Sequence, residues 1–303
     1  QSGRAIDRSG SDAAALASKL QTRFVTFLRQ TEIGDRRRHD RLPCELPVLL
    51  RQAGREIAGE AADLSEGGML VRNADGEKLS IGTSVDVDLT AVGRGRARIV
   101  GRSPLGLHVE FTALEAAAES ALHERLAAIR AENQEFVDRA VDAAAMIAVT
   151  LEQAVRDGKL TRDALFDADY VLIEGTNPQQ FLTRSLEVLE SLLPAVQEPL
   201  LAGDKRMVFC AAVDRNGYLP VHNRIYSKPQ KPDDVAWNTA NCRNRRIFDD
   251  RAGLCAARSV RPFLIQSYPR DMGNGVIIMM REIDAPVRLF GKHWGGFRTA
   301  YKL

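Results

Sequence analysis

Two short runs hold side chains that can do chemistry together. Arg36, Arg37, Arg38, His39, Asp40 and Arg41 stand in a row, and Asp63, Ser65 and Gly68 form an Asp-x-Ser-x-x-Gly run that starts about 22 residues after Arg41. Arg37 and Arg41 lie four apart, so both can present planar forks to phosphate oxygens or to the O6 and N7 edge of guanine. Asp63 can accept from the guanine N1 and N2 donors, which no cation can do. Ser65 adds a hydroxyl, and Gly68 lets the backbone approach a flat ring with no Cβ in the way. An arginine can also stack on a purine face. Arg36, Arg38 and His39 stand as helpers. Together the two runs predict a site for an anionic, guanine-bearing ligand.

The elements around these runs must position them. Between about Arg36 and Thr112 the texture is short β runs broken by turn residues: LPVLLRQ, EIAGEAADL, GMLVRN, SVDVDLTAV, GRARIVGR and GLHVEFT. SVDVDL alternates strictly, as a half-exposed strand does. Six strands in so short a span predict a small β-barrel. Ahead of it, Leu16, Leu20, Phe24, Phe27 and Leu28 paint one face of a helix within residues 1–34. Behind it, residues 114–158 read as one long helix that ends at Gly158. Leu122, Leu126, Ile129, Asn133, Phe136, Ala140, Ala143, Ile147, Thr150 and Ala154 follow the alternating spacing of a coiled-coil seam, with Asn133 placed to fix register. That seam predicts either a parallel homodimer or a helix laid along its own neighbouring domain.

Residues 159–303 bring short helices, then MVFCAAV and YLPVHN joined through Asn216-Gly217, which reads as a β-hairpin. Helical pieces around VAWNTANCRNRRIF and GLCAARS follow, and then PFLIQSY, GVIIMMREI, APVRLF and HWGGFRTAY. Antiparallel strands with helices on one side predict an α+β layer, so the whole chain is α+β and multidomain. Tyr218, His222, Asn223, Arg243 and Tyr268 fall near strand ends and are candidates to line a second pocket. Trp294 and Tyr301 alternate with small residues and read as core.

Composition narrows the field. The 303 residues hold 42 Lys and Arg against 40 Asp and Glu, a formal charge of +2, too balanced for nucleic acid as the main partner. Cys44, Cys210, Cys242 and Cys255 form no Cys-x-x-Cys pair, so neither a metal site nor a disulfide framework is indicated, and a reducing, cytoplasmic setting is expected. The absence of a Gly-rich phosphate fingerprint between a strand and a helix argues against a nucleotide-dependent enzyme. The chain begins at Gln1, which is expected of the C-terminal part of a longer polypeptide, and that parent could be membrane-anchored upstream.

Arg37-x-x-x-Arg41 followed by Asp63-x-Ser65-x-x-Gly68 resembles the PilZ domain, a small bacterial barrel that binds cyclic di-GMP, over residues 35–113. The resemblance implies cyclic di-GMP as the ligand, with Arg37 and Arg41 clamping phosphate and guanine, Asp63 and Ser65 reading the guanine edge, and Gly68 shaping the turn. Residues 1–34 resemble the tail of a methyl-accepting chemotaxis protein's signalling bundle. Residues 159–303 resemble the PAS-like or Cache-like sensor domain of some chemoreceptors, through Asp214–Asn223, Cys242–Phe248 and His293–Arg298. These likenesses imply a non-enzymatic signalling module with chemotaxis proteins as partners. Two alternatives stand beside it: a dimerising scaffold whose barrel binds no nucleotide, and an enzyme with His222 or His293 as general base beside Asp214 or Asp271.

Overall fold

The computed structural model describes residues 39–72, 79–103 and 105–302. Arg36, Arg37, Arg38 and the helix expected within 1–34 lie outside the described residues.

Six antiparallel strands close into a barrel: β1 (Leu42–Gln52), β2 (Arg55–Ser65), β3 (Gly68–Arg72), β4 (Ser84–Leu89), β5 (Gly93–Ser103) and β6 (Gly106–Leu114). Their order around the barrel is β1-β2-β3-β6-β5-β4. Alternation sends Leu64, Met69, Val71, Leu107 and Val109 inward, and leaves Asp63, Leu70 and His108 on the outside. Gln52 pairs with Arg55 across a two-residue turn, and Ala53 and Gly54 both take positive φ there, the conformation a tight hairpin demands.

Residues 114–158 are not one helix. Helix α1 (Ala116–Glu132) stops at Asn133, and α2 (Gln134–Arg156) restarts from it. Asn133 is wholly buried; its Nδ2 donates to the Ile129 carbonyl at 2.6 Å and its Oδ1 accepts from Arg281 at 3.3 Å. Its amide side chain competes with the helix backbone, which makes the residue a joint instead of a register pin. The seam residues pack within the chain, as the second of the two expectations for this helix has it. Leu122, Leu126 and Ile129 bury against the barrel, and Phe136, Ala140, Ala143 and Ile147 bury against the sheet that follows. Each large side chain gains about 1.5–3 kcal/mol there, so withdrawing them for a second copy costs more than an Ala-rich seam returns.

Short elements follow: α3 (Arg162–Leu165), capped by the Thr161 hydroxyl, then β7 (Val171–Ile173), β8 (Gln180–Leu182), α4 (Leu186–Leu192) and α5 (Pro194–Gly203). The second sheet comprises β9 (Met207–Asp214), β12 (Leu264–Asp271), β13 (Ile277–Leu289) and β14 (Lys292–Tyr301), in the antiparallel order β12-β13-β14-β9. Between its first two strands run β10 (Tyr218–Leu219), α6 (Val235–Asn241), β11 (Arg246–Ile247) and α7 (Arg251–Arg258). The expected hairpin is not formed. Asn216-Gly217 does turn the chain, with Asp214 accepting from the Asn216 and Tyr218 amides, but β10 pairs with β11 while β9 pairs with β14.

The two faces of this sheet differ in chemistry. One carries Cys210, Ala212, Ile283, Phe297 and Tyr301 under α2, where the tilted rings of Phe136 and Tyr301 lie 4.5 Å apart. The other carries Phe209, Tyr268, Arg270, Met280, Glu282, Asp284 and Arg298 beneath α7 and the segment before it. One apolar cluster runs from Leu50 in the barrel through Leu126 and Ile147 to Phe297 in the sheet.

Candidate functional site

Asp63 sits near the end of β2, opposite Leu70 on β3. Its Oδ1 accepts from the Leu70 amide at 3.0 Å and from Arg41 Nη1 at 3.3 Å. Arg41 comes from the segment leading into β1, so the two sequence runs meet in space. Burial raises the Asp63 carboxyl above the ordinary range, against the pull of Arg41 and the Leu70 amide. His108 on β6 pairs with Leu70 and shares this face; burial, aided by the Arg41 charge, lowers its imidazole, so it stands neutral near pH 7.

Ser65 is buried, and its hydroxyl donates to the Gly68 carbonyl at 2.9 Å, closing the turn between β2 and β3. Gly68 is required by sterics, since a Cβ there would stand 2.1 Å from the Val109 carbonyl oxygen across the β3–β6 ladder. His39 lies over the same turn, with Nδ1 2.9 Å from Glu66 and its ring against Gly67.

Outside the barrel a cleft of about 460 Å³ opens, a volume suited to a small ligand. Arg41, Asp63, Arg72 and His108 line one wall; Arg251, Gln266, Ser267 and Met279 of the second domain line the other. Sequence reading missed His108, Arg72 and the whole opposing wall. The alternation of GLHVEF could have set His108 outward, but no sequence signal says that a domain more than a hundred residues away covers that face.

The second-domain candidates separate into two places. His222, Arg243 and Tyr268 come together: Arg243 Nη2 donates to the Tyr268 hydroxyl at 3.0 Å, and Phe209 stands between the rings of His222 and Tyr268 at 5.2 and 5.9 Å. Tyr218 is elsewhere, donating to the Phe181 carbonyl at 2.8 Å and packing on Tyr170. Asn223 is buried, and its Oδ1 accepts from the Cys210 amide at 2.9 Å. Asp214 is taken by the Tyr170 hydroxyl and two backbone amides, His222 Nδ1 accepts from the Asn223 amide, and His293 bonds the Ala257 carbonyl. Burial holds His222 well below the usual histidine range, and the charges of Arg270 and Arg243 push the same way.

Residues 35–128, which span β1–β6 and most of α1, match the family model of the PilZ domain. The barrel is therefore a PilZ domain. Among solved structures the chain is similar to the PilZ domain with c-di-GMP of YcgR from Escherichia coli, at 20% identity over 34% of this chain and 98% of that one, TM-score 0.28. It is also similar to the inhibitor of motility MotI/DgrA of Bacillus subtilis, at 21% identity over 30% of this chain and 49% of that one, TM-score 0.27. A third likeness is to Escherichia coli YcgR in complex with c-di-GMP, at 23% identity over 34% and 50%, TM-score 0.28. The match thus spans about half the length of these last two chains. No curated protein matches the chain.

Proposed function

We propose that this chain is a cyclic di-GMP-responsive signalling module whose nucleotide site is the outer barrel face around Arg41 and Asp63. The observation that carries this reading is the 3.3 Å contact between Arg41 and Asp63 at the wall of a cleft that the second domain closes. A phosphodiester arriving there competes for the Arg41 fork, and releasing Arg41 frees Asp63 to accept from guanine N1 and N2. Arg37, four residues upstream, supplies the second cation, with Arg36, Arg38 and His39 beside it. The PilZ family match supports this ligand.

The output is transmitted through the opposite wall of the cleft. Gln266 lines that wall and also donates to Asp284 at 2.9 Å and to the Ala252 carbonyl at 3.0 Å, so a ligand that displaces it alters the buried face of the second sheet. In that sheet the first strand is bonded to the last, an order that suits the PAS-like or Cache-like sensor reading. Coupling to a chemotaxis receptor rests on the likeness of residues 1–34 to a signalling bundle. No helix among the described residues is long and apolar enough to cross a membrane, and a cytoplasmic setting is part of the proposal. The reading assigns the chain no catalytic reaction.

Isothermal titration of the whole chain with cyclic di-GMP tests the reading. Binding that is lost in Arg41→Ala and in Asp63→Ala supports it, and silence in the wild type overturns it in favour of a barrel that acts only as a scaffold.

A further inference from the structure

The polar face of the second sheet contains charge that the described residues do not balance. Arg270 on β12 is 1% exposed, and none of its three guanidinium nitrogens has a hydrogen-bond partner among the described residues. The rings of Tyr226, at 4.1 Å, and Phe209, at 5.0 Å, lie against the guanidinium. Attraction to a ring face leaves the in-plane N–H donors unmet, and it is weaker than the cost of stripping water from a charged group. Arg270 has neighbours of the same sign. Arg243 is buried and donates to neutral oxygens, those of Thr239, Asp271 and Tyr268; Arg246 also donates to Thr239.

The nearby acids are held elsewhere. Glu282 is engaged by Arg298, the Asp271 carboxylate accepts from the Gly273 amide while attracting Arg246, and burial together with Glu282 pushes the Asp284 carboxyl well up, against its charged form. None of the three hydrogen-bonds Arg270. Burial and Arg243 together push the Arg270 guanidinium down to about 10, as expected where a cation is held beside others without a counter-ion.

We propose that the second domain is a sensor for a small oxyanion, a carboxylate or phosphate group, gripped by the in-plane edge of Arg270 within the field of Arg243 and Arg246. The flanking rings cover the faces of the guanidinium and leave its in-plane donors unpartnered, and two in-plane oxygens match them. His222, kept neutral among these cations, packs its ring 5.0 Å from Tyr226 and so adds an aromatic wall without adding charge. Arg270 is not among the residues that line the cleft at Arg41, and the proposal stands whether or not the barrel binds nucleotide.

The test is thermal unfolding of the whole chain with inorganic phosphate, succinate, uncharged succinamide or sodium chloride at matched ionic strength. Phosphate or succinate at a hundredfold excess over its Kd is expected to raise Tm by roughly 4 °C, while succinamide and chloride leave it unchanged. The anion that acts tells the phosphate source from the carboxylate one. Arg270→Lys keeps the charge but loses the fork, and its Kd for that anion is expected to weaken at least about tenfold. Arg270→Met is expected to lose the response and to be no less stable than the wild type in anion-free buffer. If neither phosphate nor succinate outperforms chloride on the wild type, or if Arg270→Lys and Arg270→Met respond as the wild type does, the proposal fails. It fails too if Arg270→Met unfolds in anion-free buffer while the wild type is indifferent to both anions, since the guanidinium is then a structural strut.

Discussion

The barrel face and the buried face of the second sheet both depend on arginine, but they treat it in opposite ways. Arg41 is partly exposed and already has a carboxylate partner, so an incoming anion exchanges one ion pair for another at small cost. Arg270 is enclosed and has aromatic rings where Arg41 has an acid. A cation at a rim can respond quickly and reversibly, whereas an enclosed one commits the fold to whatever neutralises it. The contrast teaches that an arginine's meaning lies in what stands beside it once the chain is folded.

Five substitutions and one pH titration can break or sharpen that contrast. The largest effect is expected from Glu282→Gln, which strips Arg298 of its counter-charge and should cost about 3–5 kcal/mol in urea unfolding. Asp284→Asn, which replaces a carboxyl whose charged form burial and Glu282 already disfavour, should stay within about 1 kcal/mol; equal losses in the two variants would refute the division of charge described here. Next comes Arg41→Ala, expected to weaken cyclic di-GMP binding by about 2–3 kcal/mol in calorimetry while changing unfolding free energy by less than about 1 kcal/mol.

Gly68→Ala sets the added methyl against the Val109 carbonyl and should destabilise the barrel by about 1–3 kcal/mol, read by denaturant midpoint. The smallest effect concerns pH. Asp63 offers both its oxygens as acceptors to guanine only when ionised, and its carboxyl is raised by burial, so acidification removes that acceptor at a higher pH than it would from an exposed aspartate. Cyclic di-GMP affinity should therefore decline several-fold as the pH is lowered, and Asp63→Asn should bind weakly with a flat profile. A wild-type profile as flat as that of the variant would remove Asp63 from the site.

How much of this was legible depended on whether a feature is local. The six barrel strands show as alternation and turns because each is specified by its own few residues, as SVDVDL illustrates. The meeting of Arg41 with Asp63 was legible through two motifs read together. The break at Asn133 was not, because asparagine is tolerated in a coiled-coil seam and only burial against Arg281 shows its other use. Asn216-Gly217 announced a turn correctly but not which strand would pair with which, since pairing is decided by β14 some eighty residues later. Arg270 was passed over inside SYPRD, where a charge looks solvated. Its spacing of two from Tyr268 and four from Gln266 places all three on one side of β12, a pattern visible in the sequence but without meaning until β13 and α7 cover it.

The unbroken apolar cluster from Leu50 to Phe297 bears on what kind of machine this is. With barrel, helices and sheet tied through one apolar cluster beside the cleft, the two halves are not free to swing apart like doors on a pin; heat should melt them in a single calorimetric peak, and two separated peaks would disprove this. News of an arriving nucleotide must then travel as small repacking inside a stiff body, handed from side chain to side chain.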